Sequence, residues 1–193
     1  VSAIIRGREV LDVKFSAQDI TRVGIFAALH VAATLVLRFG GEAMVPFSLV
    51  PFMAFLAAFA LGGRLGAMSL AVYMALGLLG VPVFARPPYG GLVYVLQPTF
   101  GFIIGFIVAA YVAGLFNIDT PRGGALAIVL GLVALYAVGL PYLFAIVRFY
   151  LGRPVDFWWA IRVAAAPFIG LDLVKAALAL FIGRQLKKGL HRA

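Results

Sequence analysis

The chain has 193 residues, of which 64% are apolar or aromatic and only 12% charged, and its mean hydropathy is +1.10. An average soluble protein carries roughly 25% charged residues, so this chain has too little polar side chain to cover a globular surface in water. Soluble enzymes, nucleic-acid modules and disulfide-stapled secreted domains are excluded: the formal charge of +9 is scattered in ones and twos around apolar blocks, and cysteine is absent.

Without cysteine there is no thiolate chemistry, and His30 and His191 lie too far apart in the chain to suggest a zinc pair. No metal, cofactor or nucleic-acid partner is expected. Residues 1–19, with Arg6, Arg8, Glu9, Asp12 and Lys14, read as a cytoplasmic segment and not as a secretory leader. The apolar run that follows is long enough to remain in a bilayer as a helix.

A bilayer core about 30 Å thick asks for roughly 20 mostly apolar residues per helix, with about 17 tolerable. Six such runs occur in chain order. The first covers residues 20–37 and ends at Arg38-Phe39-Gly40-Gly41-Glu42; the second covers 47–61 and ends at Gly62-Gly63-Arg64. The third covers 65–79 and stops at Gly80-Val81-Pro82, the fourth covers 98–116, the fifth covers 124–147 with Pro141 inside, and the sixth closes near Gln185. The reading is therefore a single all-α integral membrane domain over 1–193, with a six-helix bundle at 20–185 and a basic cytoplasmic tail at 186–193.

Two connections are unusual. Residues 81–97 contain Arg86-Pro87-Pro88-Tyr89-Gly90-Gly91, too rich in Pro and Gly for a helix and too apolar for a wet loop, and they are expected to fold back onto the protein. Residues 151–166 carry Arg153, Asp156, Trp158, Trp159 and Arg162. That composition suits a short helix at the membrane interface, where Trp sits at headgroup level, or an ordinary return into the sixth span.

Six spans put both termini on one side. With the termini inside, ten basic residues lie inside and five outside (Arg38, Arg86, Arg148, Arg153 and Arg162), with Lys175 within the membrane. The positive-inside rule thus favours cytoplasmic termini and places both long connections outside, over a cavity open to the exterior.

Chemistry concentrates in Pro167-Phe168-Ile169-Gly170-Leu171-Asp172-Leu173-Val174-Lys175, which sets an acid and a base in an apolar span. Each costs roughly 2.5–3.5 kcal/mol at a helix centre, and at i, i+3 they share a face and offset part of that cost by pairing. Intramembrane ionisable groups usually mark a substrate path; the alternative is a structural ion pair between helices. Pro167 and Gly170 are expected to break the helix just before Asp172 and to leave backbone N–H groups free near the cavity. With no other acid in a span, a proton pump is disfavoured; His30 could join such a path or simply pack. The chain lacks Gly-x-x-x-x-Gly-Lys-Ser/Thr, His-Glu-x-x-His and Gly-x-Ser-x-Gly, so neither a nucleotide motor nor a hydrolase is expected. Gly24, Ala28 and Ala32, and Gly101 with Gly105, form small faces suited to internal packing or, more sharply, to a partner.

Taken together these residues resemble the BioY family, the membrane-embedded substrate-binding S components of energy-coupling factor (ECF) transporters for biotin. The likeness spans nearly the whole chain. It is carried by Leu61-Gly62-Gly63-Arg64-Leu65-Gly66-Ala67, Tyr73-Met74-Ala75-Leu76-Gly77-Leu78-Leu79-Gly80-Val81-Pro82-Val83-Phe84-Ala85, Pro98-Thr99, Gly101, Gly105-Phe106, Gly139-Leu140-Pro141-Tyr142, and Pro167-Phe168 with Asp172 and Lys175.

The resemblance implies capture of a vitamin outside and release inside, driven by a transmembrane T component and two ATPase subunits in a prokaryotic cell membrane. It implies that Ala28 and Ala32 meet the T component, that Asp172 accepts from the ureido N–H groups of biotin, and that Lys175 donates to its ureido carbonyl or carboxylate. Phe84, Arg86, Tyr89, Gln97, Thr99 and Phe100 complete the implied substrate site. Departures bear on the ligand. Val45-Pro46-Phe47-Ser48-Leu49-Val50 stands where the family has Val-Pro-Ile-Thr-x-Gln, and Arg86-Pro87-Pro88-Tyr89 replaces a glycine-rich or asparagine-bearing loop. Gln97-Pro98-Thr99-Phe100-Gly101-Phe102 replaces Gly-Pro-Thr-Gly-Gly-Tyr. A Phe for Gly fills cavity volume and an added Arg can clamp a carboxylate, so another small carboxylate such as lipoate stands beside biotin. A structural membrane protein with an Asp–Lys pair between helices, and a stand-alone secondary carrier, are the remaining alternatives.

Overall fold

The computed structural model describes residues 15–40 and 48–190; the basic residues before position 15, the motif positions 45–47 and His191 lie outside the described residues. Among the described residues there are seven α-helices and no strand: α1 Ala17–Gly40, α2 Val50–Leu61, α3 Gly63–Leu78, α4 Phe100–Ala113, α5 Pro121–Ala145, α6 Phe157–Ala164 and α7 Ile169–Leu190. The all-α membrane architecture is as expected, with six helical spans if α6 and α7 are taken as one broken span, bent by 53° across a short turn.

Local sequence sets the helix ends. Ser16 and Asp19 form a reciprocal capping box at the start of α1, each backbone N–H donating to the other's side chain at 3.0 Å. Thr120 caps α5 by accepting from the Gly123 N–H at 3.0 Å, ahead of a helpful proline at the first turn. Asp156 does the same for α6 through the Trp159 N–H at 2.7 Å. Gly62 alone joins α2 to α3, at φ +83°, a left-handed conformation that glycine adopts without a Cβ penalty.

Helix lengths depart from the expected spans. With 12, 16 and 14 residues, α2, α3 and α4 rise only about 18, 24 and 21 Å, short of the bilayer core. By length and composition α1 and the α5 run cross a membrane unaided, and the bent α6–α7 pair adds a third. The α5 run does not stop at residue 147: a π-turn over Ile146–Tyr150 carries it on, and Arg148 inside that turn places its guanidinium on the Val155 carbonyl at 3.3 Å. The connection at 151–166 contains a short helix, Phe157–Ala164, with Trp158 67% exposed.

The spans alternate between two ends. At one, the Phe15 ring lies 4.8 Å below the Arg64 guanidinium, Gly114 packs on Gly63, and Arg184 and Lys187 of α7 reach Ile118 and Asp119 of the α4–α5 connection. This is the terminal end. At the other, the loop end, Arg38 closes α1 onto the Pro82 carbonyl at 2.9 Å.

Helix α2 is the axis of the bundle, packed against α1, α3, α4 and α7, and Ala54, Phe55 and Ala57 are fully buried. Small residues make this possible: Gly66 lies against the Ala58 backbone and Gly183 against Phe59, close approaches of the kind that hold helices together where water supplies no drive. Gly101 and Gly105 are internal packing positions too, set under Tyr142 and against Leu135 of α5. Large apolar side chains such as Ile25, Val129, Val133 and Phe181 stay exposed on the outer faces, as contact with lipid requires.

Candidate functional site

Toward the loop end, all seven helices and the 81–97 loop contribute to the lining of a cavity of about 360 Å³. Asp172 and Lys175 line it together, as their spacing predicts. Asp172 sits in the first turn of α7, where the positive end of the helix dipole favours a carboxylate, and it is only 5% exposed. Helical side chains lean toward the N-terminus, so Lys175 reaches back one turn and its Nζ lies 3.3 Å from Asp172 Oδ1.

Sequence reading missed the third member of this group. Tyr136 of α5 donates its hydroxyl proton to Asp172 Oδ2 at 2.8 Å. Its position follows from the buried stripe Leu132, Leu135, Tyr136, Gly139, Leu140 and Leu143, spaced by three and four along one face. A polar tip on that stripe was the available signal: a tyrosine hydroxyl buried in a bundle needs a partner. The Tyr136 ring is steadied edge-on by Phe102 at 6.2 Å between centroids.

The break before Asp172 is real but lies earlier than expected. The chain turns at residues 165–168 and Gly170 already belongs to α7. The Asp172 N–H is not free: it donates to the Phe168 carbonyl at 2.8 Å, and the Ile169 N–H donates to the Ala165 carbonyl at 2.9 Å.

The 81–97 loop folds back as its composition predicts, with Phe84 fully buried and a 3₁₀ turn at Leu92–Leu96. It delivers Arg86 to the cavity lining, and Thr99 joins from the start of α4. The other four residues expected to face substrate lie outside that lining. Phe84 and Phe100 pack with Tyr94 in an aromatic cluster, the Phe84 and Tyr94 rings tilted by 31° with centroids 4.2 Å apart and Phe100 meeting Tyr94 edge-on at 6.3 Å. Phe100 thus fills the cluster and leaves the cavity volume alone, a correction to the reading that a Phe at this position narrows the cavity. Tyr89 lies under the Arg38 guanidinium at 3.9 Å, and Gln97 donates to the Pro87 carbonyl at 2.9 Å, so both hold the loop's own shape.

Thr34 and Tyr73 add hydroxyls 3.1 Å apart to the lining, and Tyr94 adds another beside Thr99. The cavity therefore combines apolar walls with one carboxylate, two cations and several hydroxyls, a set able to orient a small polar acid. His30, one turn from Thr34, is fully buried and its Nδ1 meets the Phe26 carbonyl at 2.6 Å; it does not line the cavity. Ala28 and Ala32 lie on the opposite, exposed face of α1 with Gly24, where an added Cβ would meet open space.

Comparison with known proteins identifies the family and the fold. The profile of the BioY family matches residues 8–192. A probable biotin transporter BioY of Lysinibacillus sphaericus is 34% identical over 188 residues, covering 92% of this chain and 91% of that protein. A probable biotin transporter BioY of Pyrococcus horikoshii is 37% identical, covering 89% and 97%, and the biotin transporter BioY of Thermotoga maritima is 36% identical, covering 89% and 96%. The fold matches, with a TM-score of 0.68 at 19% identity over 91% of this chain and 95% of the other, the crystal structure of the S-component for biotin from an ECF-type ABC transporter. The chain belongs to the BioY family.

Proposed function

We propose that this BioY-family chain is the substrate-capturing S component of an ECF-type transporter, binding biotin in the cavity at the loop end and handing it inward. It is a transport protein and not an enzyme. The observation that carries the reading is the convergence of Asp172, Lys175, Tyr136 and Arg86 on one cavity of about 360 Å³, within the range of ordinary small-ligand sites.

Biotin presents two ureido N–H donors, a ureido carbonyl, an apolar ring and chain, and a carboxylate. Each Asp172 oxygen already accepts one hydrogen bond, and a carboxylate has about four lone-pair sites, so it keeps capacity for the ureido N–H groups. Lys175 and Arg86 supply cations for the ureido carbonyl and the carboxylate, with Thr99 among the hydroxyls beside them. The lining charges leave one positive in excess, which suits an acid better than a neutral ligand. Phe84, Tyr89, Gln97 and Phe100 shape the loop that carries Arg86. Lipoate shares the carboxylate but lacks ureido donors, so it leaves Asp172 without a ligand partner.

The partners are a transmembrane T component and two ATPase subunits in a prokaryotic plasma membrane, with the terminal end cytoplasmic. The open stripe of Gly24, Ala28 and Ala32 on α1 supports a helix-docking surface there. The test is mass spectrometry of the small molecule that copurifies with the protein, followed by equilibrium binding and thermal shift with biotin and lipoate. Biotin bound and stabilising is expected. Lipoate alone doing so would change the substrate, and neither doing so would overturn the site.

A further inference from the structure

A second, larger cavity of about 800 Å³ lies beyond the first at the loop end, between the end of the α5 run and α6. Val163 lines both spaces, and the inner-lining residues Leu143 and Ala164 adjoin Phe144 and Val163 of the outer lining. One turn of α6 and one row of α5 side chains therefore separate them. That partition belongs to an eight-residue helix set at 53° to α7.

The outer basin carries two arginines, Arg148 and Arg162. Their hydrogen bonds go to backbone carbonyls at long distances, Val155 at 3.3 Å and Trp158 at 3.4 Å, and neither forms an ion pair with a described residue. A guanidinium has five N–H donors, so most of their capacity is uncommitted. Asp156, the carboxylate in the lining, uses Oδ1 to cap α6. The basin is thus a net cationic concavity walled by Phe144, Phe157 and Trp159, the arrangement that focuses field lines and raises local anion concentration.

We propose that this basin is a capture site for the carboxylate of the anionic ligand, held on Arg148 and Arg162 before the ligand passes the Val163 partition into the inner cavity. It rests on the reading of the inner cavity as a vitamin site. The two arginines then set the association rate, while Asp172, Lys175 and Tyr136 set the dissociation rate.

The full-length protein in phosphatidylcholine nanodiscs tests this by stopped flow, with Trp158 and Trp159 beside the basin as intrinsic fluorophores. In Arg148→Gln with Arg162→Gln the biotin association rate at low salt should fall about tenfold, with dissociation unchanged and the salt dependence flattened. Arg148→Lys with Arg162→Lys should restore much of the rate, and the uncharged amide of biotin should associate equally fast with every variant. A biotin association rate indifferent to the arginines would overturn the basin alone. A loss shared by biotin and its amide would reduce the arginines to packing and also overturn it. Stabilisation of the wild type by phosphatidylglycerol that the Gln variant lacks, with association unchanged, would reassign the basin to a lipid headgroup. No biotin binding to the wild type would overturn the inner site, and the capture site with it.

Discussion

Among the described residues there are two Asp–Lys pairs, and the pair with the shorter contact is the more exposed one. At the terminal end Lys187 Nζ lies 2.9 Å from Asp119 Oδ2, with the Asp side chain 52% exposed. In the cavity wall Lys175 Nζ lies 3.3 Å from Asp172 Oδ1, with the Asp side chain 8% exposed. The shorter pair sits in water, where Coulomb attraction is screened and ordering two side chains cancels most of the gain. The longer pair is withdrawn from water, where each charge depends on its partners. Asp119 and Lys187 tie a connection to a helix; Asp172, tied also to Tyr136 across two helices, holds a charge where it is costly to keep one. In an apolar bundle the place where a charge is hardest to bury is a better guide to chemistry than the distance at which it is paired.

The sharpest way to break the comparison is to empty both pairs. Asp172→Leu takes the carboxylate from beside the buried Lys175 cation and should cost about 3 kcal/mol of stability along with all measurable biotin binding. Asp172→Leu with Lys175→Leu should recover the stability, because a buried pair replaced by apolar groups of similar size is often neutral, yet still bind nothing. Thermal unfolding in nanodiscs and equilibrium binding read the two effects separately. A double variant that binds as the wild type would make the pair purely structural. Asp119→Leu with Lys187→Leu should bind normally.

A smaller effect isolates what the buried pair has and the exposed one lacks. Tyr136→Phe removes one hydrogen bond to Asp172 and keeps the ring against Phe102, so biotin affinity should fall about tenfold, the worth of roughly 1.4 kcal/mol for a bond to a charged group. Combined with Asp172→Asn the losses should be less than additive, since both act on one carboxylate. Full additivity by titration calorimetry would separate Tyr136 from the site.

What was legible in the sequence follows the same division. Asp172 and Lys175 stand out because a charge inside an apolar run needs no tertiary knowledge to be noticed. Tyr136 is 36 residues from Asp172, and only the packing of α5 beside α7 makes them neighbours. The aromatic placements were hidden for the same reason: composition cannot tell that Phe84 and Phe100 pack on each other and on Tyr94. The six runs were legible as apolar blocks. Their ends were not, because a π-turn carries Arg148 past the point where charge suggests a stop, and a single glycine turns α2 into α3.

The smallest expected effect belongs to Asp119 and turns on pH. The hydrogen bond from Lys187 comes first in holding its carboxyl below the ordinary value of 3.8, outweighing an opposing desolvation cost, with the Lys187, Lys188 and Arg184 charges assisting. A carboxyl depressed in the folded state contributes its full stability above its unfolded value and loses it as pH falls through the lower folded value. Wild type and Asp119→Asn should therefore differ slightly in unfolding midpoint at pH 6, converge as pH is lowered below 3.8, and also converge at pH 6 in molar salt, where the screening length is about 3 Å. Biotin affinity at pH 6 should be the same in both. A gap that widened in acid, or a weakened affinity, would mean that the exposed pair communicates with the cavity through α7, and the two pairs would have to be treated as one network.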